Sequence, residues 1–147
     1  MTITLADILR SKGSTVHTIE PQATLSRVVD RLIEHNCGSL VVCAGDQSAH
    51  GILGIITERD ILRACARHRG SLDAVRVAEM MTADVVIANP DDSVEDTMGR
   101  MTEHRMRHLP VVEDDRLVGL ISIGDVVKAQ HNSLLMENHF LKSYIHS

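Results

Sequence analysis

Two segments carry the residues best suited to chemistry: Gly54-Ile55-Ile56-Thr57-Glu58-Arg59-Asp60 and Gly119-Leu120-Ile121-Ser122-Ile123-Gly124-Asp125, offset by 119 − 54 = 65 residues. In each, an apolar run ends at a hydroxyl residue and an aspartate follows three positions later. A strand ending at Thr57 or Ser122 that gives way to a helix leaves N-terminal amides facing any nearby anion, which suits a phosphate. Asp60 or Asp125, one turn further on, offers two carboxylate oxygens to both hydroxyls of a cis-diol such as a ribose. Hydrogen bonds of this kind contribute about 1.5–3 kcal/mol each, whereas micromolar binding needs about 8 kcal/mol. The remainder would come from an apolar slot for a base and from cationic contacts to phosphate. The competing reading makes each aspartate a first-turn acid stabilised by the helix dipole, with Thr57 and Ser122 as simple caps.

Other chemistry is poorly served. No catalytic triad, metal-ligand pattern or phosphate loop of the Gly-x4-Gly-Lys-Ser/Thr type occurs, so the chain is read as a non-enzyme needing no cofactor. Nine histidines invite a metal, but His104 and His108 share ligand spacing only on a continuous helix, and Pro110 starts a strand there. Cys37 lacks an evident base and reads as a small buried residue. Cys37, Cys43 and Cys65 form no CxxC pair, which favours a reducing compartment over a disulfide framework.

The elements that must position the two aspartates are also written twice. Cys37-Gly38-Ser39-Leu40-Val41-Val42 aligns with Arg107-His108-Leu109-Pro110-Val111-Val112 at an offset of 70, and Glu20–Leu25 aligns with Asn89–Val94 at 69. The offset falls to 65 because the turn Cys43–His50 is longer than Glu113–Arg116. Each repeat reads as a short strand, a helix capped by Thr24 or Ser93, two β-branched strands joined by a turn, and a second helix. Asp96 stands where the acidic partner of a capping box would. The second helices run from Glu58 to about Arg67 and from Gly124 to about Gln130. With 147 residues, 44% hydrophobic and 24% charged, the chain fits one compact domain or two small units sharing a core. Two aromatics, Phe140 and Tyr144, provide no base-stacking platform, and a net charge of −5 does not attract duplex DNA. A small anion in a local pocket is compatible with both facts.

The repeated Gly-h-x-Ser/Thr-x-x-Asp signature resembles that of the cystathionine beta-synthase (CBS) domain family, as a stand-alone tandem pair over about Ile3 to Gln130. Met80-Met81-Thr82 and Arg107–Val112 also resemble that family's sequences. The resemblance implies an α+β fold, two pseudo-symmetric repeats packed through their sheets into a disc, with adenosine nucleotides bound in clefts between them. Boundaries follow at 1–72 and 73–130 for the repeats and 131–147 for a helical tail. It further implies crossed sites. One joins Ser122, Asp125, Arg107 and His108 with Lys12, Gly13 and Ser14; the other joins Thr57, Arg59, Asp60, Cys37 and Gly38 with Thr82 and Ala83. Lys12, Arg105 and Arg107 are the candidate cations for phosphate, which favours AMP, ADP or ATP over NAD(H) or S-adenosylmethionine and favours the Asp125 site over the Asp60 site.

The implied protein is a regulatory sensor, a homodimer acting on an unidentified protein partner; the rival is an interaction scaffold without a small ligand. In the tail, Leu134, Leu135, Phe140, Leu141, Tyr144 and Ile145 could share one helix face, packed on the same chain or on a second copy. No basic leader or run of about 18 apolar residues is present, which gives the expectation of a cytoplasmic protein without membrane or nucleic-acid contact.

Overall fold

The computed structural model describes residues 2–45, 51–68 and 70–146. Residues 46–50 of the longer turn read at Cys43–His50 lie outside the described residues. The elements in chain order are α1 (Leu5–Lys12), β1 (Thr18–Ile19), α2 (Leu25–His35), β2 (Ser39–Cys43), β3 (Ile52–Thr57), α3 (Glu58–His68), a 3-10 turn (Leu72–Ala74), α4 (Val77–Met80), α5 (Val94–His104), β4 (His108–Glu113), β5 (Arg116–Ser122) and α6 (Ile123–His146). They group into two compact units. The α3 unit comprises Thr15–Val86 with Val112–Val118, and the α6 unit comprises Met1–Ser14, Ile87–Val111 and Gly119–Ser147.

In the α3 unit, β1 runs parallel to β2, with Thr18 opposite Val41, and β2 is antiparallel to β3, with Ser39 opposite Thr57. Helix α2 begins at Thr24, whose hydroxyl accepts from the Arg27 N–H at 3.3 Å. Its buried positions Leu25, Val28 and Leu32 recur at helical spacing and pack with Ile19, Leu40, Val42, Ile56 and Ala64. The chain before the second repeat closes this core: Val75 and Val77 are buried in it, and the Leu25 N–H donates to the Val75 carbonyl at 3.0 Å.

The α6 unit uses the same arrangement. Ser93 caps α5 by accepting from the Asp96 N–H at 3.0 Å, but among the described residues the Asp96 carboxylate returns no bond, so only half of the expected box forms. Val94, Thr97 and Met101 are the buried face of α5, and the buried Thr97 hydroxyl is satisfied by the Ser93 carbonyl at 2.8 Å. The short strand before the second repeat shrinks to a single bridge between Ala88 and Val111. Here the closing segment is the chain start. The Val94 N–H donates to Ile3 O, Leu5 N–H to Asp92 O and Ala6 N–H to Pro90 O, at 2.8, 3.0 and 2.9 Å. Leu25 to Val75 O, Val77 to Ala23 O and Ala78 to Pro21 O repeat these bonds in the α3 unit, with 75 − 3 = 77 − 5 = 78 − 6 = 72. Each closing segment therefore precedes one repeat in sequence and packs with the elements of the other.

A further expectation changes at the tail. The second helix of the second repeat does not end near Gln130; α6 continues unbroken through the tail to His146, because 131–146 contains no proline or glycine to stop it. Beyond Val126 its large apolar side chains are exposed, Leu134, Leu135, Phe140, Leu141 and Ile145 among them.

Candidate functional site

Both aspartates sit in the first turn of a helix that follows a strand directly. In the α6 unit the Ser122 N–H donates to Asp125 Oδ2 at 2.9 Å, and the Asp125 N–H returns to the Ser122 hydroxyl at 3.1 Å. The Ile123 N–H is taken by the Arg107 carbonyl at 2.8 Å. In the α3 unit the Thr57 N–H reaches Asp60 Oδ2 at 2.9 Å, the Asp60 N–H reaches the Thr57 hydroxyl at 3.4 Å, and the Glu58 N–H reaches the Gly38 carbonyl at 3.1 Å. The set of amides read as an anion cradle is thus mostly engaged. Among the described residues only the Gly124 and Arg59 amides of these first turns have no partner. The hydroxyl-x-x-Asp spacing makes a reciprocal capping box, and that is why it satisfies its own amides.

The carboxylates differ in what else reaches them. Lys12, at the end of α1, donates to Asp125 Oδ2 at 2.7 Å and to the Leu120 carbonyl at 2.8 Å. Asp125 Oδ1 has no partner among the described residues. Burial of Asp125 favours the neutral acid, but hydrogen bonds from Lys12 and the Ser122 amide, with the lysine charge, outweigh it and hold the carboxyl below its ordinary value. Asp60 is only 4% exposed, and Arg63 stands 3.8 Å from its Oδ1. Both sites are built within single units. Lys12, Gly13, Ser14, Arg107, His108, Ser122 and Asp125 all belong to the α6 unit, and Cys37, Gly38, Thr57, Arg59, Asp60, Thr82 and Ala83 all belong to the α3 unit.

Of these, Lys12, Ser122 and Asp125 are bonded together, and Arg107 joins them through its backbone. The Arg107 and Arg105 side chains are exposed and form no ion pair among the described residues; His108 is half-buried. Gly13 and Ser14 are exposed just past α1, where Gly13 adopts φ +98° and ends the helix by donating to Leu9 O at 2.8 Å. In the α3 unit, Thr57 and Asp60 are bonded and Gly38 joins them through its carbonyl. Thr82 instead pairs with Ile55, the two exchanging N–H to carbonyl bonds at 3.0 and 2.9 Å, while Ala83 and Arg59 are exposed and Cys37 is half-buried.

The signature glycines explain how the closing segments approach. A Cβ at Gly54 would lie 2.5 Å from the Thr82 carbonyl, and one at Gly119 would lie 2.5 Å from a Leu9 methyl. Residue 55 of β3 is then met by Thr82, whereas its counterpart Leu120 is met by the Lys12 ammonium. The sequence reading missed the matching box at the start of α1, where the Thr4 N–H and hydroxyl both reach Asp7 at 2.9 and 3.2 Å. Its signal was the same hydroxyl-x-x-Asp spacing. Among the described residues no cluster of three or more His, Cys, Asp and Glu is placed to hold a metal, and no helix is long and apolar enough to cross a membrane.

Two helix-capped aspartates in duplicated strand-helix turns, each closed by a segment from the other repeat's side of the sequence, define a tandem repeat module. The CBS domain profile matches this chain twice, over residues 5–67 and 77–132. The chain belongs to the CBS domain family as a tandem pair. It is similar to the mitochondrial CBS domain-containing protein CBSX3 of Arabidopsis thaliana, with 35% identity covering 97% of this chain and 71% of the relative. A CBS-domain-containing protein from Agrobacterium tumefaciens has a crystal structure with TM-score 0.79 and 37% identity, covering 88% of this chain and 95% of that one. The CBS domain pair of the protein MJ0100, crystallised with 5-methylthioadenosine and S-adenosyl-L-methionine, matches with TM-score 0.76 and 25% identity, covering 90% and 99%.

Proposed function

We propose that the protein is a non-catalytic regulatory sensor that binds an adenosine nucleotide, AMP, ADP or ATP, at the Asp125 site. The observation that carries this reading is the free Oδ1 of Asp125, on a carboxylate kept ionised and held in place by Ser122 and Lys12. A ribose hydroxyl donates to Oδ1; the second hydroxyl must share Oδ2 with Lys12 or displace it. Arg107 and Arg105 are the side chains left for phosphate, with the Gly124 N–H next to Asp125 in sequence as the amide left for it. The complex of the MJ0100 pair with two adenosyl ligands supports the ligand class. Thr57, Asp60, Cys37, Gly38, Arg59, Thr82 and Ala83 form the weaker, second site, since Asp60 is nearly enclosed and faces Arg63.

The same proposal has the protein work as a cytoplasmic homodimer whose occupancy alters a protein partner, needing no cofactor or metal and making no contact with membrane or nucleic acid. A second reading, an interaction scaffold with no small ligand, draws on the exposed apolar side chains of α6. A thermal-shift screen of nucleotide-free protein with AMP, ADP, ATP, NADH and S-adenosylmethionine separates the two. Ligand at 100 times its dissociation constant adds about 2.7 kcal/mol. The sensor reading expects a saturable rise with AMP, ADP or ATP; no rise with any of the five overturns it in favour of the scaffold.

A further inference from the structure

The α3 unit has a concavity at the end of β2 away from Asp60. Ser39, at the start of β2, pairs with Thr57, while Cys43, at the other end of β2, lines a groove of about 330 Å³ together with Thr18, Glu20, Arg27 and Arg31. That volume lies in the range of small-ligand sites. Helix α2 places Arg27 and Arg31 four residues apart on one face, and His35 continues the row. The His35 ring stacks on His17, with centroids 3.8 Å apart and planes 15° from parallel.

Among the described residues, the two arginines of this groove have no paired counter-ion, although Glu20 lines the groove and Asp30 and Glu34 share the helix. Arg31 Nε is buried with no hydrogen-bond partner among the described residues. Buried polar groups in folded proteins are almost always satisfied, so an orphaned guanidinium nitrogen beside an open groove indicates a missing acceptor. The neighbouring imidazole responds to the same field. His17 is pushed below its ordinary pKa by burial, then by the positive charges of His35 and Arg31, with Glu34 acting against them. A planar guanidinium fork matches the oxygen spacing of a phosphate, and two forks on successive turns, with the Thr18 hydroxyl nearby, suit a small dianion.

We propose that the groove between β1, β2 and α2 binds a phosphate-type oxyanion, as free phosphate or as the phosphate of a small phosphomonoester, through Arg31 and Arg27. It shares no residue with the Asp125 site and stands or falls separately from nucleotide sensing. The test follows the His17 and His35 ring signals by NMR during titration with inorganic phosphate and, in parallel, ribose 5-phosphate, at ionic strength held constant with chloride. The proposal expects a saturable shift with at least one of the two and a raised His17 pKa in the complex; which one saturates tells free anion from monoester. Arg31→Gln weakens binding about tenfold or more, as the loss of a charge-assisted hydrogen bond implies. Arg31→Lys, which keeps the charge and the fold but lacks Nε and the fork, weakens it by a smaller factor, and Asp125→Ala leaves it unchanged. Equal shifts with chloride, no saturation at millimolar phosphate, or full binding by a folded Arg31→Lys and Arg31→Gln pair would overturn it.

Discussion

Asp125 and Asp60 occupy the same turn of the repeat, 125 − 60 = 65 residues apart, and bond their own helix start at the same 2.9 Å. Their surroundings diverge because the closing segments have different lengths. Helix α1 runs eight residues and delivers Lys12 to Asp125 and to the Leu120 carbonyl. Its counterpart α4 stops after four residues, and Thr82 then pairs with Ile55 as backbone. One site therefore holds an ionised carboxylate bonded to a lysine, with one oxygen free among the described residues, whereas the other holds an aspartate that is 4% exposed beside a backbone bridge. The capping box is common to both and builds the fold; ligand chemistry depends on the residues that arrive from elsewhere in the chain.

The largest expected effect breaks this comparison at the glycines. Gly54→Ala drives a methyl into the Thr82 carbonyl, a backbone atom that cannot turn aside, and should cost about 3 kcal/mol in urea unfolding. Gly119→Ala meets the end of the Leu9 side chain, which can rotate, and should cost about 1 kcal/mol. Equal losses would mean that both closing segments yield alike.

A smaller effect sharpens the contrast in charge. Lys12→Met removes the cation that competes with a ribose hydroxyl at Oδ2, so AMP and adenosine should both bind a few-fold more tightly with their ratio unchanged, the size expected of a partly exposed ion pair. The variant also returns the Asp125 carboxyl upward. A folded-state pKa held below the unfolded one stabilises the protein above the unfolded value, and this stabilisation is lost as pH falls through the folded value. Lys12→Met should therefore lose stability relative to the parent near neutral pH and converge with it in acid, as read by thermal melts across the acid range. A constant difference at all pH values would show that Lys12 acts through packing alone.

Much of this was legible in the residues, and the rest was not for physical reasons. The duplicated signature, the Thr24 and Ser93 caps and the buried stripe Leu25-Val28-Leu32 follow from local periodicity and hydrogen bonding, and the structure contains them. The Lys12 to Asp125 bond spans 113 positions, so no local pattern announces it, and only the family resemblance put the two residues in one site. The engaged first-turn amides could have been foreseen, since hydroxyl-x-x-Asp satisfies its own donors. The Arg27 and Arg31 groove was hidden because a charge row on a helix reads as a solvated face until the strands beside it are placed.

Calorimetric titration of AMP into the parent, Asp125→Ala and Asp60→Ala proteins tests the asymmetry most directly. The expected result is that Asp125→Ala weakens the tightest binding event about tenfold or more, the loss of one hydrogen bond to a charged acceptor, while Asp60→Ala leaves that event unchanged. Undiminished affinity in a folded Asp125→Ala protein would contradict the assignment of the ribose contact.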